Sequence, residues 1–370
     1  MKKACLKLYK ILFPAIKHCY HPRKTLMLCV AFSSMLDAIA NEKIFAQNIH
    51  TVKLRVEKSF PDEKDDKVFM SYPINLDMDE SGNIYISDQY LSSLLKFSPS
   101  GEWLASISKP GHGPGEFTNQ TEIRYYNGKI YINDQANRRI QWMTPEGRYL
   151  GEFKVIEIPK RFTLHQGKIY ALNLNSYLHW SSEKQKPNDL IWVLDEKGKR
   201  ISAFGDHLDF DKNLSPPDNL APSVSDGFID IFDEHVYLLF NHYPILRIYT
   251  LAGELQKTIR FEGMNYAKRV PGNYEWKNFQ RKIEKLPFKA LFNAFNVNKQ
   301  GIFIEVRNFE GFLIDQFDHA GNFGKRYSKE KKGKESYFRD FIVIPLAGGK
   351  AKFLILTDED DVPRVDICVE

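Results

Sequence analysis

Residues Tyr72–Phe117 read YPINLDMDESGNIYISDQYLSSLLKFSPSGEWLASISKPGHGPGEF. Four short apolar runs, Ile74–Met78, Ile84–Ser87, Leu94–Phe97 and Trp103–Ile107, are separated by turn residues. Apolar–polar alternation with glycine-bearing turns between the runs predicts antiparallel strands. Ser81-Gly82-Asn83 and Pro99-Ser100-Gly101 supply the residues that adopt positive φ in tight hairpins. The stretch therefore reads as one four-stranded antiparallel sheet.

The pattern returns in Lys129–Phe153, KIYINDQANRRIQWMTPEGRYLGEF, where Asp134 follows Asp88 and Gly147 follows Gly101 at the same spacing of 46 residues. Four strands per repeat at this period predict a β-propeller. A single such sheet cannot bury both of its faces, and radial packing against neighbouring blades solves that problem.

The motif DESGNIYISDQ, then LLKFSPSGEWL, then GHGPGEF resembles the NHL repeat, and in particular the six-bladed propellers that many bacteria export. The resemblance is close over residues 72–153 and looser beyond. It implies the fold and leaves the activity open, because NHL-type propellers serve as enzymes, sensors, RNA binders and partner-binding domains.

The formal charge of +5 is unevenly spread: seven Lys/Arg and one acid precede Ala40, which leaves −1 for the remainder. A nearly neutral domain lacks the charge of a phosphate-backbone binder, so nucleic acid is not an expected partner. Three of the four cysteines (Cys5, Cys19, Cys29) lie in the same basic segment; Cys368 stands alone in the domain, so no disulfide and no cysteine-based zinc site is expected there. The basic segment, the apolar run Leu26–Phe32 and the small–x–small step Ala38-Ile39-Ala40 read as an export leader, residues 1–47, ahead of a propeller domain, residues 48–370. A retained anchor is the other reading. The expected location is the periplasm or the cell exterior, with membrane contact only through the leader, and the domain is expected to be monomeric.

In chain order, blade one is Tyr72–Ser108 and blade two Glu122–Phe153. Blade three begins near Arg161, with Lys168–Leu172, Leu190–Leu194 and Arg200–Phe204 following. Blade four is Phe228–Arg260 and blade five runs from about Phe292 to Tyr327. The tail offers only three strands, Phe341–Pro345, Lys352–Thr357 and Arg364–Val369. Thr51–Ser59, with Val52, Leu54 and Val56 alternating against charged residues, is a strand without a blade. Joining it to the tail completes an all-β ring of six blades and protects open edges.

With strands labelled A to D from the centre outward, the A–B and C–D turns share one face and the B–C and D–A loops the other. The readable A–B and C–D turns are short. The long segments Asn173–Asp189, Gly205–Asp226 and Glu262–Leu291 all fall on the B–C/D–A face. Insertions confined to one face of a repeat array mark a binding face, here expected to take a protein, a peptide or a glycan without catalysis. Trp180 and Trp276, within these insertions, are candidate contacts; packing onto the rim is their other reading.

Asp88 and Asp134 end the second strands of blades one and two, with Asn173, Asn241 and Arg307 at or near the equivalent positions later. Such residues could face the channel mouth and hold polar ligand groups or a calcium-like cation. Alternatively, an Asp there caps its own turn. The histidines are scattered over different blades, with no H-x-x-x-H or H-E-x-x-H spacing, so calcium and zinc have no local motif and no cofactor is expected. The rival reading is a metal-dependent lyase or hydrolase at the channel mouth.

Overall fold

A computed structural model describes residues 49–62, 67–155, 159–172, 190–206, 226–261, 264, 290–307, 311–331 and 336–370. In chain order its strands are β1 Thr51–Lys53, β2 Arg55–Phe60, β3 Pro73–Met78, β4 Ile84–Asp88, β5 Ser93–Phe97, β6 Trp103–Ser106, β7 Lys109–Pro110, β8 Glu116–Phe117, β9 Gln120–Tyr126, β10 Lys129–Asp134, β11 Arg139–Met143 and β12 Tyr149–Lys154. There follow β13 Arg161–His165, β14 Lys168–Leu172, β15 Ile191–Leu194, β16 Arg200–Phe204, β17 Gly227–Phe232, β18 His235–Phe240, β19 Ile245–Thr250 and β20 Leu255–Arg260. The last are β21 Phe292–Asn298, β22 Gly301–Val306, β23 Phe312–Phe317, β24 Phe323–Lys329, β25 Ser336–Pro345, β26 Ala351–Glu359 and β27 Val362–Val369.

These form six antiparallel blades, β3–β6, β9–β12, β13–β16, β17–β20, β21–β24 and β25–β27 with β2. The inner strands β3, β9, β13, β17, β21 and β25 each pack on the next, and β25 returns to β3, which closes the ring. Apolar layers lie between successive blades. Phe60, Leu76 and Phe97 meet Leu354 and Val365 between blades six and one. Ile140 and Phe153 meet Phe162 and Ile169 between two and three. Because a neighbour covers each face, the middle strands are buried throughout: β4 reads Ile-Tyr-Ile-Ser-Asp with no exposed position. The outer β6 alternates half-buried and exposed residues. Among the described residues no helix is long and apolar enough to cross a membrane.

One turn is built five times. In each C–D hairpin a Ser, Thr or Asp side-chain oxygen accepts the N–H four residues on: Ser98 from Glu102, Thr144 from Arg148, Asp195 from Lys199, Thr250 from Glu254 and Asp318 from Asn322. A bulge sits at the same place in each of these hairpins, as between Lys96 and Phe97 or Trp142 and Met143. The turn glycine has positive φ and lies under the outer strand of the preceding blade. A Cβ on Gly101 would stand 2.4 Å from Phe60, and one on Gly198 2.2 Å from Phe153. Both backbone and space exclude a side chain there.

The ring closes through the chain's N-terminal side, as the strand count requires, but by two strands rather than one. β2 pairs antiparallel with β27 as the outermost strand of blade six. β1 instead pairs parallel with β24, a fifth strand on blade five. The break falls at Leu54, whose N–H donates to Ser328 O at 2.8 Å while its side chain is buried between blades five and six. The alternation of Val52, Leu54 and Val56 runs unbroken across this step because all three face the same apolar layer.

Candidate functional site

The A–B and C–D turns leave the ring on one face; the B–C and D–A loops leave on the other, as the up-and-down order dictates. Asn173, Trp180 and Trp276, with most of the three long segments, lie outside the described residues.

Asp88 and Asp134 are fully buried. Asp88 accepts backbone N–H groups from Ser71 (2.6 Å), Tyr72 and Leu91 (3.0 Å). Its carboxylate thus pins the entry of β3 as well as its own turn. Asp134 accepts from Thr118 N (3.0 Å), Asn137 Nδ2, Arg139 Nε (2.7 Å) and Gln141 Nε2. Asp88 thus caps its own turn through the Leu91 N–H, whereas Asp134 holds its turn through the Asn137 side chain. In blade four Asn241 is a donor instead, its backbone N–H reaching Asp226 O at 2.7 Å and its Nδ2 reaching Asp226 Oδ2 at 3.5 Å. Arg307 N–H donates to Leu291 O in blade five. Beside it Glu305 is buried, and burial pushes its carboxyl up to about 8 against the pull of its hydrogen bonds from Asn293 and of Arg307.

The polar groups at the centre come from the inner strands instead. A side chain of one blade accepts a backbone N–H of the next. Asp340 takes Leu76 (3.1 Å), Asp77 takes Tyr125 (2.7 Å), Glu122 takes Phe162 (2.7 Å), Asp230 takes Val297 (3.2 Å) and Asn296 takes Val343 (3.3 Å). Between blades three and four, the Arg161 guanidinium lies 4.1 Å from the centre of the Phe228 ring and Lys160 pairs with Asp226. Arg124 stands among the carboxylates, with Nη2 2.8 Å from Glu122 Oε1. Burial opposes its charge, but Glu122, Asp77, Asp230 and Asp340 outweigh burial and hold the guanidinium protonated. Burial likewise raises the acids, Asp77 to about 6. Glu122, Asp230 and Asp340 move in the same direction. The centre is therefore a set of fasteners, and its carboxylates are occupied by the scaffold.

What the sequence reading missed is an aromatic sector. Four aromatic side chains among the described residues are strongly exposed: Phe69 at 69%, Tyr72 at 41%, Tyr90 at 80% and Tyr337 at 50%. All four lie on the B–C/D–A face where blade six meets blade one. Phe69 and Tyr72 are in the loop entering blade one, Tyr90 is in its B–C turn, and Tyr337 begins β25. Arg339 ties two of them together, its guanidinium 4.4 Å from the Tyr72 ring centre and 5.8 Å from that of Tyr337. Its Nη2 donates to Asp358 Oδ2 at 3.2 Å, which orients the plane. Stacked ring faces around a fixed guanidinium suit sugar rings, aromatic side chains and peptide planes. The available signal was two tyrosines at the entries of inner strands, a few residues after the charged stretches Pro61–Lys67 and Glu330–Glu335. Tyrosine in that position reads as a core residue. Among the described residues no group of three His, Cys, Asp or Glu is placed to hold a metal ion.

A family model described as "6-bladed beta-propeller" matches residues 61–306. No curated protein matches the chain. Among solved structures, a candidate exported protein of Bacteroides fragilis superposes with a TM-score of 0.56 at 12% identity, over 87% of this chain and 99% of the other. A protein of Bacteroides vulgatus gives 0.51 at 12% identity, over 86% and 97%. A streptogramin B lyase gives 0.49 at 12% identity, over 85% and 87%.

Proposed function

The chain belongs to the 6-bladed beta-propeller family, and on that scaffold we propose a non-enzymatic binding module. Its partner is a protein, peptide or glycan held on the face that carries the B–C and D–A loops. One observation carries this reading: the strongly exposed aromatics among the described residues fall on that face near the seam of blades six and one, two of them, Tyr72 and Tyr337, on either side of Arg339. Tyr and Arg dominate binding energetics because they offer large rigid surface with a polar handle. The sector draws on ring faces and a guanidinium. The reading includes export, for which the basic and apolar residues before Ala40 are the support.

The test is a defined glycan array and a displayed random-peptide library, each probed with the native chain and with Tyr72→Ala/Tyr337→Ala. Ligands selected by the native chain should bind the variant about tenfold or more weakly, with unchanged thermal unfolding. Equal binding by a folded variant would refute the assignment.

A further inference from the structure

The aromatic sector carries a charge balance that narrows its partner. Tyr337 and Asp358 stand directly opposite each other on β25 and β26, so both side chains leave the sheet on the same side. Arg339 is held there by one bond, Nη2 to Asp358 Oδ2 at 3.2 Å, with the Tyr72 and Tyr337 rings on either side. The ion pair is under-bonded. Asp358 is only 7% exposed, yet its Oδ1 has no hydrogen-bond partner among the described residues, and neither has the buried Arg339 Nε. One cation and one carboxylate cancel, and the adjoining β26–β27 turn adds the exposed Asp360 and Asp361. The sector therefore offers an anion no net positive charge, although it holds a guanidinium. A cationic side chain finds its place filled, because Arg339 already lies against the ring faces that such a group uses.

Resting on the binding reading above, we propose that the occupant of this sector is a neutral glycan. A hydroxyl both donates and accepts, so sugar hydroxyls answer a guanidinium N–H and a carboxylate oxygen together, which a carboxylate or an ammonium group alone does not. The apolar C–H face of a pyranose ring then covers the Tyr337 and Tyr72 rings, which are partly exposed to water in the free protein.

The test is isothermal titration of the full chain with neutral hexasaccharides of glucose, xylose, mannose and galactose, and with hexagalacturonate and hexalysine as charged probes. At least one neutral hexasaccharide should bind saturably, and both charged probes about tenfold more weakly. Tyr337→Ala, folded by circular dichroism, should weaken that sugar about tenfold. Asp358→Asn removes a charge and keeps an acceptor. It should leave the neutral sugar within about threefold and strengthen hexagalacturonate about fivefold at low salt. The proposal fails if no neutral sugar binds, if either charged probe binds as tightly as the sugars, or if Tyr337→Ala binds unchanged. Peptide-library ligands lost with Tyr72→Ala/Tyr337→Ala, in the absence of any sugar binding, would overturn the glycan assignment alone and keep the binding face. A chain that takes neither sugar nor peptide would overturn both.

Discussion

At the scale of single residues, the buried carboxylates separate into two kinds by what surrounds them. Asp134 is met by backbone N–H and by the Arg139 guanidinium, which also reaches Glu152 at 2.7 Å. Asp134→Ala takes from buried Arg139 one of its two carboxylate partners, leaving Glu152 and the carbonyls of Gly113 and Glu116, and should cost about 3 kcal/mol, read as a lowered urea midpoint with an unchanged slope. Asp77 is held at the crowded centre, where burial raises its pKa to about 6 from 3.8. A raised folded-state pKa means that its stabilising share is complete below about pH 4 and is lost as pH climbs through 6. Asp77→Asn keeps one acceptor for Tyr125 and removes the charge. Its melting temperature relative to the native chain should therefore rise between pH 4 and pH 7; a constant difference across that window would contradict the central-cluster assignment. The sequence announced Asp88 and Asp134 through their 46-residue spacing. It could not announce Asp77, Glu122, Asp230 and Asp340. They share no motif, and their common role exists only once the inner strands stand side by side.

At the scale of elements, legibility follows locality. The C–D turns were readable because their glycines answer to a local positive φ. The oxygen-bearing residue three places before each glycine, Ser98, Thr144, Asp195, Thr250 or Asp318, went unread although it closes the same turn. The N-terminal strand was placed correctly on the last blade by counting, and its split at Leu54 was hidden because both halves bury the same side. The two halves make different demands. Removal of residues through Phe60 takes the fourth strand from blade six and should abolish cooperative unfolding. Removal through Lys53 only strips the parallel fifth strand from blade five, and should lower the melting temperature while leaving one cooperative transition. Calorimetry on the two truncations distinguishes these outcomes; equal behaviour would show that β1, not β2, secures the ring.

At the scale of the whole molecule, the propeller is a closed ring whose seams are alike. The ring is held by apolar layers and inner-strand fasteners, so that five of six seams carry a carboxylate or amide reaching to the next backbone. Repeat spacing made the frame legible before any coordinates. The aromatic sector was not legible, because Tyr72 and Tyr337 stand 265 positions apart and meet only where blade six returns to blade one. The same return has a consequence for synthesis. β2 leaves the ribosome among the first strands, yet its partner β27 is made after the other five blades. Those residues must remain unpaired throughout elongation, so the ring locks only after translation has passed Val369. Any machinery that handles the chain before then meets an open, threadable polypeptide.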